Sequence, residues 1–148
     1  MTPEPPQVTI FLSLDGKARE AIAYYQNVLG ARTLFSITNR EFKERYNPDL
    51  AIAPGQEEYI SHSVNQVGAV QLQIADNPVD DAVPMRESGR VSLDIMVTDP
   101  QQARTIYDKA VSHPETTVLK EPQANEFADF HAVIQDPFGV LMQITCEK

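Results

Sequence analysis

The chain has 148 residues, enough for one compact domain with a substantial core, and its hydrophobic share of 42% is ordinary for a globular protein. A net charge of −9 and a pI of about 4.7 argue against nucleic-acid and anionic-membrane partners. The single cysteine, Cys146, excludes an internal disulfide and is typical of a small core residue. Because there is no long apolar run, and the opening MTPEPPQ has no signal-peptide pattern, the sequence predicts a cytoplasmic protein without a membrane span.

The first half of the chain predicts a strand, a helix and three more strands. Apolar residues alternate with mixed ones over 8–14, which is the period of a strand. Over 18–29 they recur at helical spacing, and Gly30 stands where a helix C-cap is expected. The later predicted elements are a strand at 34–37, a charged loop at 39–55 with a helical turn at 41–46, and a hairpin at 59–64 and 69–74.

The second half repeats this order after a polar segment at 76–89, which we interpret as a linker. A strand is predicted at 91–97, and Asp99 and Pro100 predict the start of a helix, since Asp caps helices and Pro suits their first position. A short strand at 116–119 and a loop at 120–125 follow. The stretch from Phe127 to Cys146 contains the turn Asp-Pro-Phe-Gly at 136–139 between two alternating strands, so it predicts a hairpin.

The two halves are alike in order and in detail. Tyr25 aligns with Tyr107 in the two predicted helices, and the first strands then match face for face with one residue inserted near Gly16. A repeat of this size indicates duplication. The sequence therefore predicts an α+β fold made of two βαβββ modules, at about 7–76 and 90–147, within a single domain that covers 1–148.

One face of each predicted sheet is suited to a ligand. The helix of each module must cover one face, and the wholly aliphatic faces are its natural partners. The opposite faces mix neutral polar groups with Phe, Met and Leu, and carry Thr9, Phe11, Ser13, Gln71, Gln73, Ser92, Asp94, Met96, Leu141, Gln143 and Thr145. Such a mixture is typical of a half-apolar pocket for a small molecule. The alternative is a solvent-facing side of the sheet or a dimer contact.

Three stretches resemble the vicinal-oxygen-chelate superfamily, which includes glyoxalases, bleomycin-resistance proteins and extradiol dioxygenases. They are LDGKAREAIAYYQNVLGA, YISHSVNQVGAVQLQIAD and FADFHAVIQDPFGVLMQI, and together they cover most of the chain. Within the superfamily the chain is most similar to the PhnB-like branch. The resemblance implies paired βαβββ modules that form an open mixed-sheet cup, usually completed as a homodimer.

The resemblance also implies where a metal ion would be bound. Metal-dependent members place His, Glu or Gln ligands on the first and last strands of each module. Those positions fall here at about Thr9 and Ser92, at Leu72 or Gln73, and at Gln143, where a glutamate would be usual. Hydroxyl groups are poor replacements for imidazole or carboxylate ligands. We therefore predict that no catalytic metal and no other cofactor is bound.

Four further residues are candidates for a site. His62 is on the third strand of the first module, where PhnB-like chains commonly have a histidine, and it could be a base, a ligand or a packing residue. Phe130 and His131 belong to an aromatic run that resembles the family's approach to the Asp-Pro-Phe-Gly turn, and they could border the pocket. Asp94 lies between apolar neighbours; if buried it could act as a general base, and if exposed it is an ordinary surface carboxylate.

The function predicted from the sequence is binding of a small organic ligand in the cup, in the manner of bleomycin-resistance proteins. The ligand-binding candidates are Thr9, Phe11, Gln73, Ser92, Phe130, His131 and Gln143, and the catalytic candidates are His62 and Asp94. The alternative is a metal-dependent lyase, isomerase or dioxygenase whose altered ligand set is His62, Gln73, Asp94 and Gln143. No glycine-rich phosphate loop, CxxC, HExxH or nucleophile elbow is present.

Overall fold

The structure is a computed structural model, and it describes residues 8–82, 84–85, 91–126 and 128–148. The chain divides into two compact units, 1–85 and 86–148. Phe127 and the end of the predicted linker lie outside the described residues. Within the described ranges, no helix combines the length and apolar character needed to cross a membrane.

The first unit is a four-stranded mixed sheet with two helices. Its elements are β1 (Ile10–Ser13), α1 (Ala18–Leu29), β2 (Arg32–Thr38), α2 (Asn39–Arg45), β3 (Ile60–Val67) and β4 (Val70–Ala75). The strand order is β1-β4-β3-β2, in which β1 is parallel to β4 and the other pairs are antiparallel. Helix α1 ends as expected at Gly30, whose φ of 69° is the left-handed conformation that glycine adopts without strain.

The second unit has the same topology with one helix. Its elements are β5 (Leu93–Val97), α3 (Pro100–Val111), β6 (Thr117–Gln123), β7 (Ala128–Gln135) and β8 (Leu141–Glu147), and the strand order is β5-β8-β7-β6. The Asp99 side chain accepts a hydrogen bond from the Gln101 backbone N–H and caps α3, as predicted. The fold class, α+β with two βαβββ modules that each carry a mixed sheet, is confirmed.

The helical turn predicted at 41–46 is helix α2, which begins two residues earlier because Thr38 and Glu41 form a capping box that satisfies its first backbone N–H groups. The loop predicted at 120–125 was too long. Strand β6 continues through Lys120 to Gln123 although it contains Pro122. An edge strand tolerates proline, and the pairing of β6 with β7 has register shifts on both sides of Lys120.

Asp76, the first residue after β4 and of the predicted polar segment, is buried and holds the first unit together. Its Oδ1 accepts hydrogen bonds from the backbone N–H groups of Gly16 at 2.7 Å and Ala18 at 2.9 Å. Its Oδ2 accepts one from the N–H of Ile60 at 2.7 Å. The carboxylate therefore joins the end of β4 to the start of α1 and the start of β3.

The two units differ in the core between helix and sheet. In the first unit, Asn65 is fully buried, donates from Nδ2 to Ser63 Oγ and to the Leu72 carbonyl, and accepts from the Thr33 hydroxyl. The second unit has apolar residues at the positions equivalent by strand pairing, namely Val118, Ala132 and Ile134. The first core thus contains a polar network where the second has hydrocarbon.

Cys146 is buried on β8, as the sequence predicted for a small core residue. Burial raises the pKa of its thiol, and the negative charges of Asp129 and Asp99 raise it further, so the reactive thiolate is scarce at neutral pH. We expect Cys146 to react with Ellman's reagent at least about a hundredfold more slowly in the folded protein than in urea. Comparable rates under both conditions would show that β8 opens readily.

Candidate functional site

Strand pairing places the same row of positions on each sheet. In the first unit the row is Phe35 opposite Val64, Val64 opposite Gln73, and Gln73 opposite Phe11. In the second unit it is Lys120 opposite Val133, Val133 opposite Gln143, and Gln143 opposite Asp94. His62 and His131 each lie two residues before the valine, and Thr9 and Ser92 two residues before the β1 or β5 member. Most candidate site residues predicted from the sequence thus form pairs that occupy equivalent positions in the two units.

These rows lie on the sheet faces away from the helices. Leu72 and Ile74 alternate with Gln73 and are buried, and so are Met142 and Ile144 on either side of Gln143. We call Thr9, Phe11, Phe35, His62 and Gln73 the first site face. We call Ser92, Asp94, Lys120, His131 and Gln143 the second site face.

The first site face is largely aromatic. The His62 ring lies between Phe11 and Phe35, with ring centroids 6.3 and 6.2 Å away, and the Phe11 ring is nearly parallel to it. Phe11 is 40% exposed and Phe35 42% exposed, so both rings are open to a ligand. The Gln73 amide donates to the Thr9 hydroxyl at 2.6 Å, and this hydrogen bond joins β4 to the residue before β1.

On the second site face, four side chains form a chain of hydrogen bonds in which each group donates to the next. A lysine ammonium can only donate, so Lys120 Nζ, 3.4 Å from His131 Nδ1, makes that nitrogen the acceptor. His131 Nε2 then donates to Gln143 Oε1 at 2.9 Å, and the Gln143 amide donates to Ser92 Oγ at 3.1 Å. The chain leaves the Ser92 hydroxyl hydrogen available to an acceptor oxygen of a ligand.

Asp94 was predicted to be either a buried general base or an ordinary surface carboxylate. Within the second unit it is exposed, which agrees with the surface carboxylate. Its Oδ1 accepts a hydrogen bond from the Thr145 hydroxyl at 2.7 Å, which fixes the carboxylate beside Gln143 on the neighbouring strand. On this face Asp94 can accept from a ligand donor, while the Ser92 hydroxyl can donate.

Phe130 is the one candidate that the structure does not bring to a site face. It is buried on the opposite side of β7, where its ring makes an edge contact with Tyr107 of α3 and lies under the Arg104 guanidinium. Successive side chains of a strand point to opposite faces, so Phe130 and its neighbour His131 cannot line the same surface. Phe130 is therefore a core residue of the second unit.

Two members of the site faces, Phe35 and Lys120, were missed in the sequence. Both lie on edge strands directly after a register shift, at equivalent positions of β2 and β6. Lys120 was assigned to a loop, which hid the match. Alignment of the two short strands on their partners, Val64 and Val133, would have identified both.

Comparison with solved structures gives matches over nearly the whole chain. Protein PA1353 from Pseudomonas aeruginosa has a TM-score of 0.76 and 21% identity, over 97% of this chain and 98% of that one. The PhnB protein from Bacillus cereus has a TM-score of 0.72 and 20% identity, over 95% and 99%. A glyoxalase/bleomycin resistance protein from Albidiferax ferrireducens has a TM-score of 0.61 and 13% identity, over 95% and 98%.

The chain has the vicinal-oxygen-chelate fold. The resemblance predicted from the sequence is thereby confirmed at the level of the fold, with a PhnB protein among the similar structures. No protein-family model and no curated protein matches the chain.

The residues at the positions that the family resemblance implies for metal ligands do not suit a divalent ion. In the first unit these positions hold the hydroxyl of Thr9 and the amide of Gln73, and in the second the hydroxyl of Ser92 and the amide of Gln143. The Thr9 hydroxyl accepts a hydrogen bond from the Gln73 amide, and the Ser92 hydroxyl accepts one from the Gln143 amide. None of the four groups carries a charge. Among the described residues, no group of three or more His, Cys, Asp or Glu side chains could hold a metal ion.

A separate pocket of about 460 Å³ lies beside α2 and is not part of either site face. Its lining is Arg40, Lys43, Glu44, Pro48, Ile52 and Glu57. The Arg40 guanidinium is paired with Glu58 at 2.8 Å and Glu44 at 3.7 Å, so its charge is already compensated. We do not assign a ligand to this pocket.

Proposed function

We propose that the protein binds a small organic molecule on its site faces, by hydrogen bonds and ring contacts and without a catalytic metal ion. The observation that carries this proposal is the pairing of Thr9 with Gln73 and of Ser92 with Gln143. At the positions where this fold can hold a metal ion, the chain has neutral groups that bind one another. Their remaining lone pairs and protons suit the carbonyl, hydroxyl and amide groups of an organic ligand.

The composition of the faces supports the same proposal. Ligand sites are mostly apolar, with a few polar groups that fix the orientation of the ligand. The first site face supplies two half-exposed phenylalanine rings, and the second supplies a donor at Ser92 and an acceptor at Asp94. A homodimer and a cytoplasmic location remain predictions that accompany this proposal.

Metal analysis tests the metal-free part of the proposal. We expect protein purified without chelator to contain far less than one divalent ion per chain, and Gln143→Ala to have the same content. The chemistry of the donor set is the reason, because neutral amides and hydroxyls compete poorly for such ions. One tightly bound ion per chain that is lost in Gln143→Ala would instead support the enzyme with an altered ligand set.

Protein-observed NMR with a set of small organic fragments tests the ligand-binding part. We expect the amide resonances that shift in a saturable way to cluster around Gln73 and Gln143. Resonances of Val70, which is exposed at the far end of β4, serve as an internal control and should not shift. Shifts that scatter over the surface, or no saturable shifts with any fragment, would contradict the proposal.

A further inference from the structure

His62 and His131 occupy equivalent positions in opposite surroundings. His131 is buried and is held between Lys120 and Gln143, so both of its ring nitrogens have protein partners. His62 is only half-buried, and its ring nitrogens make no hydrogen bond to any residue that the structure describes. Its ring contacts are with two carbon rings, Phe11 and Phe35. His62 thus has its hydrogen-bonding capacity available to a ligand.

A second polar group on this side of the sheet also lacks a partner. The Ser13 hydroxyl oxygen is buried, yet within the described part of the chain it has no hydrogen-bond partner. Burying a hydroxyl without a partner costs about 1–3 kcal/mol, so most native hydroxyls avoid it. Ser13 lies two residues after Phe11 and therefore points to the same face.

Ala75 separates these two groups. Ser13 is opposite Ala75 on β4, and His62 lies two residues before Val64, which is opposite Gln73. Ala75 is only 1% exposed, so protein atoms already fill the space above its methyl group and the Ser13 hydroxyl is closed to a ligand. The half-exposed Phe11 and Phe35 rings lie one row away, beside the half-buried His62.

From these contacts we propose that the first site face binds a planar aromatic ring that carries a hydroxyl group or a ring nitrogen. The ring lies against Phe11 and Phe35, and its polar atom is bound by His62. This inference rests on the proposed function and names the ligand class for one of the two faces. Phe11 and Phe35, which contact the ring, are uncharged, so the site selects a neutral ring over a strongly charged one.

The second site face has a different chemistry at the equivalent positions. Asp94 and Lys120 replace Phe11 and Phe35, so this face offers charged groups where the first offers rings. The two units therefore share one backbone arrangement but offer two kinds of contact. An aromatic ligand should bind the first site face in preference to the second.

Binding of 2-naphthol, compared with its saturated counterpart decahydro-2-naphthol, tests the inference. Both compounds carry one hydroxyl on a two-ring skeleton, but only the first is planar and aromatic. Titration followed by NMR of the His62 ring should show saturable binding of 2-naphthol and at least about tenfold weaker binding of the saturated compound, because two ring contacts are lost.

Variants separate the ring contacts from the polar ones. Phe11→Leu and Phe35→Leu should each weaken 2-naphthol binding by about threefold to tenfold, and both are half-exposed positions where the fold tolerates leucine. His62→Phe keeps a ring but removes the hydrogen bond, and should weaken binding by a similar factor. The matched control is Val70→Ala, an exposed apolar residue of the same sheet, which should leave affinity within about twofold.

Ser13→Ala is a second control, because the Ser13 hydroxyl is buried. Removal of this unpartnered hydroxyl should leave the melting temperature unchanged or raise it, and the affinity for 2-naphthol should stay within about twofold. Equal affinity for both naphthols, or unchanged binding in His62→Phe, would overturn the aromatic inference and leave the proposed function intact. If neither naphthol binds while other fragments bind elsewhere on the site faces, the inference fails alone. If no organic fragment binds at all, both fail.

Discussion

Replacement of Asp76 by asparagine should lower the free energy of unfolding by about 3 kcal/mol and the melting temperature by about 10 °C. The carboxylate uses both oxygens to accept three backbone N–H groups, from Gly16, Ala18 and Ile60. Asparagine has only one acceptor oxygen, so at least one buried N–H would face an amide donor. Thermal and urea unfolding followed by circular dichroism would measure the effect.

Asp80→Asn is the matched control, since it makes the same chemical change in the same polar segment. The Asp80 carboxylate is exposed and accepts one hydrogen bond, from the Ala82 backbone N–H. We expect this variant to unfold within about 0.5 kcal/mol of the wild type. If Asp76→Asn were equally mild, Asp76 would not be the anchor between β4, α1 and β3, and the position of His62 near the start of β3 would need another explanation.

Asn65→Ala should also destabilise the first unit by about 3 kcal/mol. The substitution removes the amide that donates to Ser63 Oγ at 3.0 Å and to the Leu72 carbonyl at 3.2 Å, and that accepts from the Thr33 hydroxyl at 2.7 Å. These groups would remain in the core with fewer partners and a cavity beside them. Urea unfolding provides the measurement.

The second unit supplies the control for this prediction. A triple variant, Thr33→Val with Ser63→Ala and Asn65→Ile, copies the residues at the equivalent positions, Val118, Ala132 and Ile134. The triple variant removes the amide and both hydroxyls together, so no buried side-chain group of the network is left unsatisfied, and only the Leu72 and Ile74 carbonyls and the exposed Gln26 amide each lose one partner. The triple variant should therefore be within about 1 kcal/mol of the wild type, or more stable. A triple variant as unstable as Asn65→Ala would mean that the polar network itself stabilises the first unit.

The two units show how one scaffold can hold different chemistry. Strand pairing repeats the row that contains Gln73 and Gln143, including the register shift after Thr33 and after Val118. The first site face carries aromatic rings where the second carries charged groups. In the cores, the first unit has a hydrogen-bonded polar network where the second has apolar side chains. The duplication therefore conserves backbone geometry more strictly than side-chain chemistry.

The helices could be predicted closely from the sequence, because the signals that define them are local. Apolar spacing over one turn, the left-handed Gly30 and the Asp99-Pro100 start predict α1 and the start of α3 where the structure has them. The hairpin turn at 136–139 was equally predictable: the Asp136 side chain accepts from the backbone N–H groups of Phe138 and Val140 within the turn itself.

The site could be predicted only in part. Alternation along single strands placed Thr9, Phe11, Gln73, Ser92 and Gln143 on the faces away from the helices, and the structure agrees. The same alternation should have removed Phe130, which is adjacent to His131 and therefore points the other way. The resemblance to the family's aromatic run suggests a pocket residue at Phe130, whereas the strand period predicts that Phe130 faces the core, as it does.

Residue types and short spacings are enough to predict the two modules and their helices, and to show that the usual metal-binding residues are missing from the sequence. Which of the remaining residues contact one another depends on the tertiary structure. Lys120 reaches His131, and Phe35 reaches His62, through pairings between strands whose register depends on bulges and on contacts far apart in the chain. A shift of one residue in either pairing would turn these side chains to the opposite face, and no local pattern in the sequence specifies that choice.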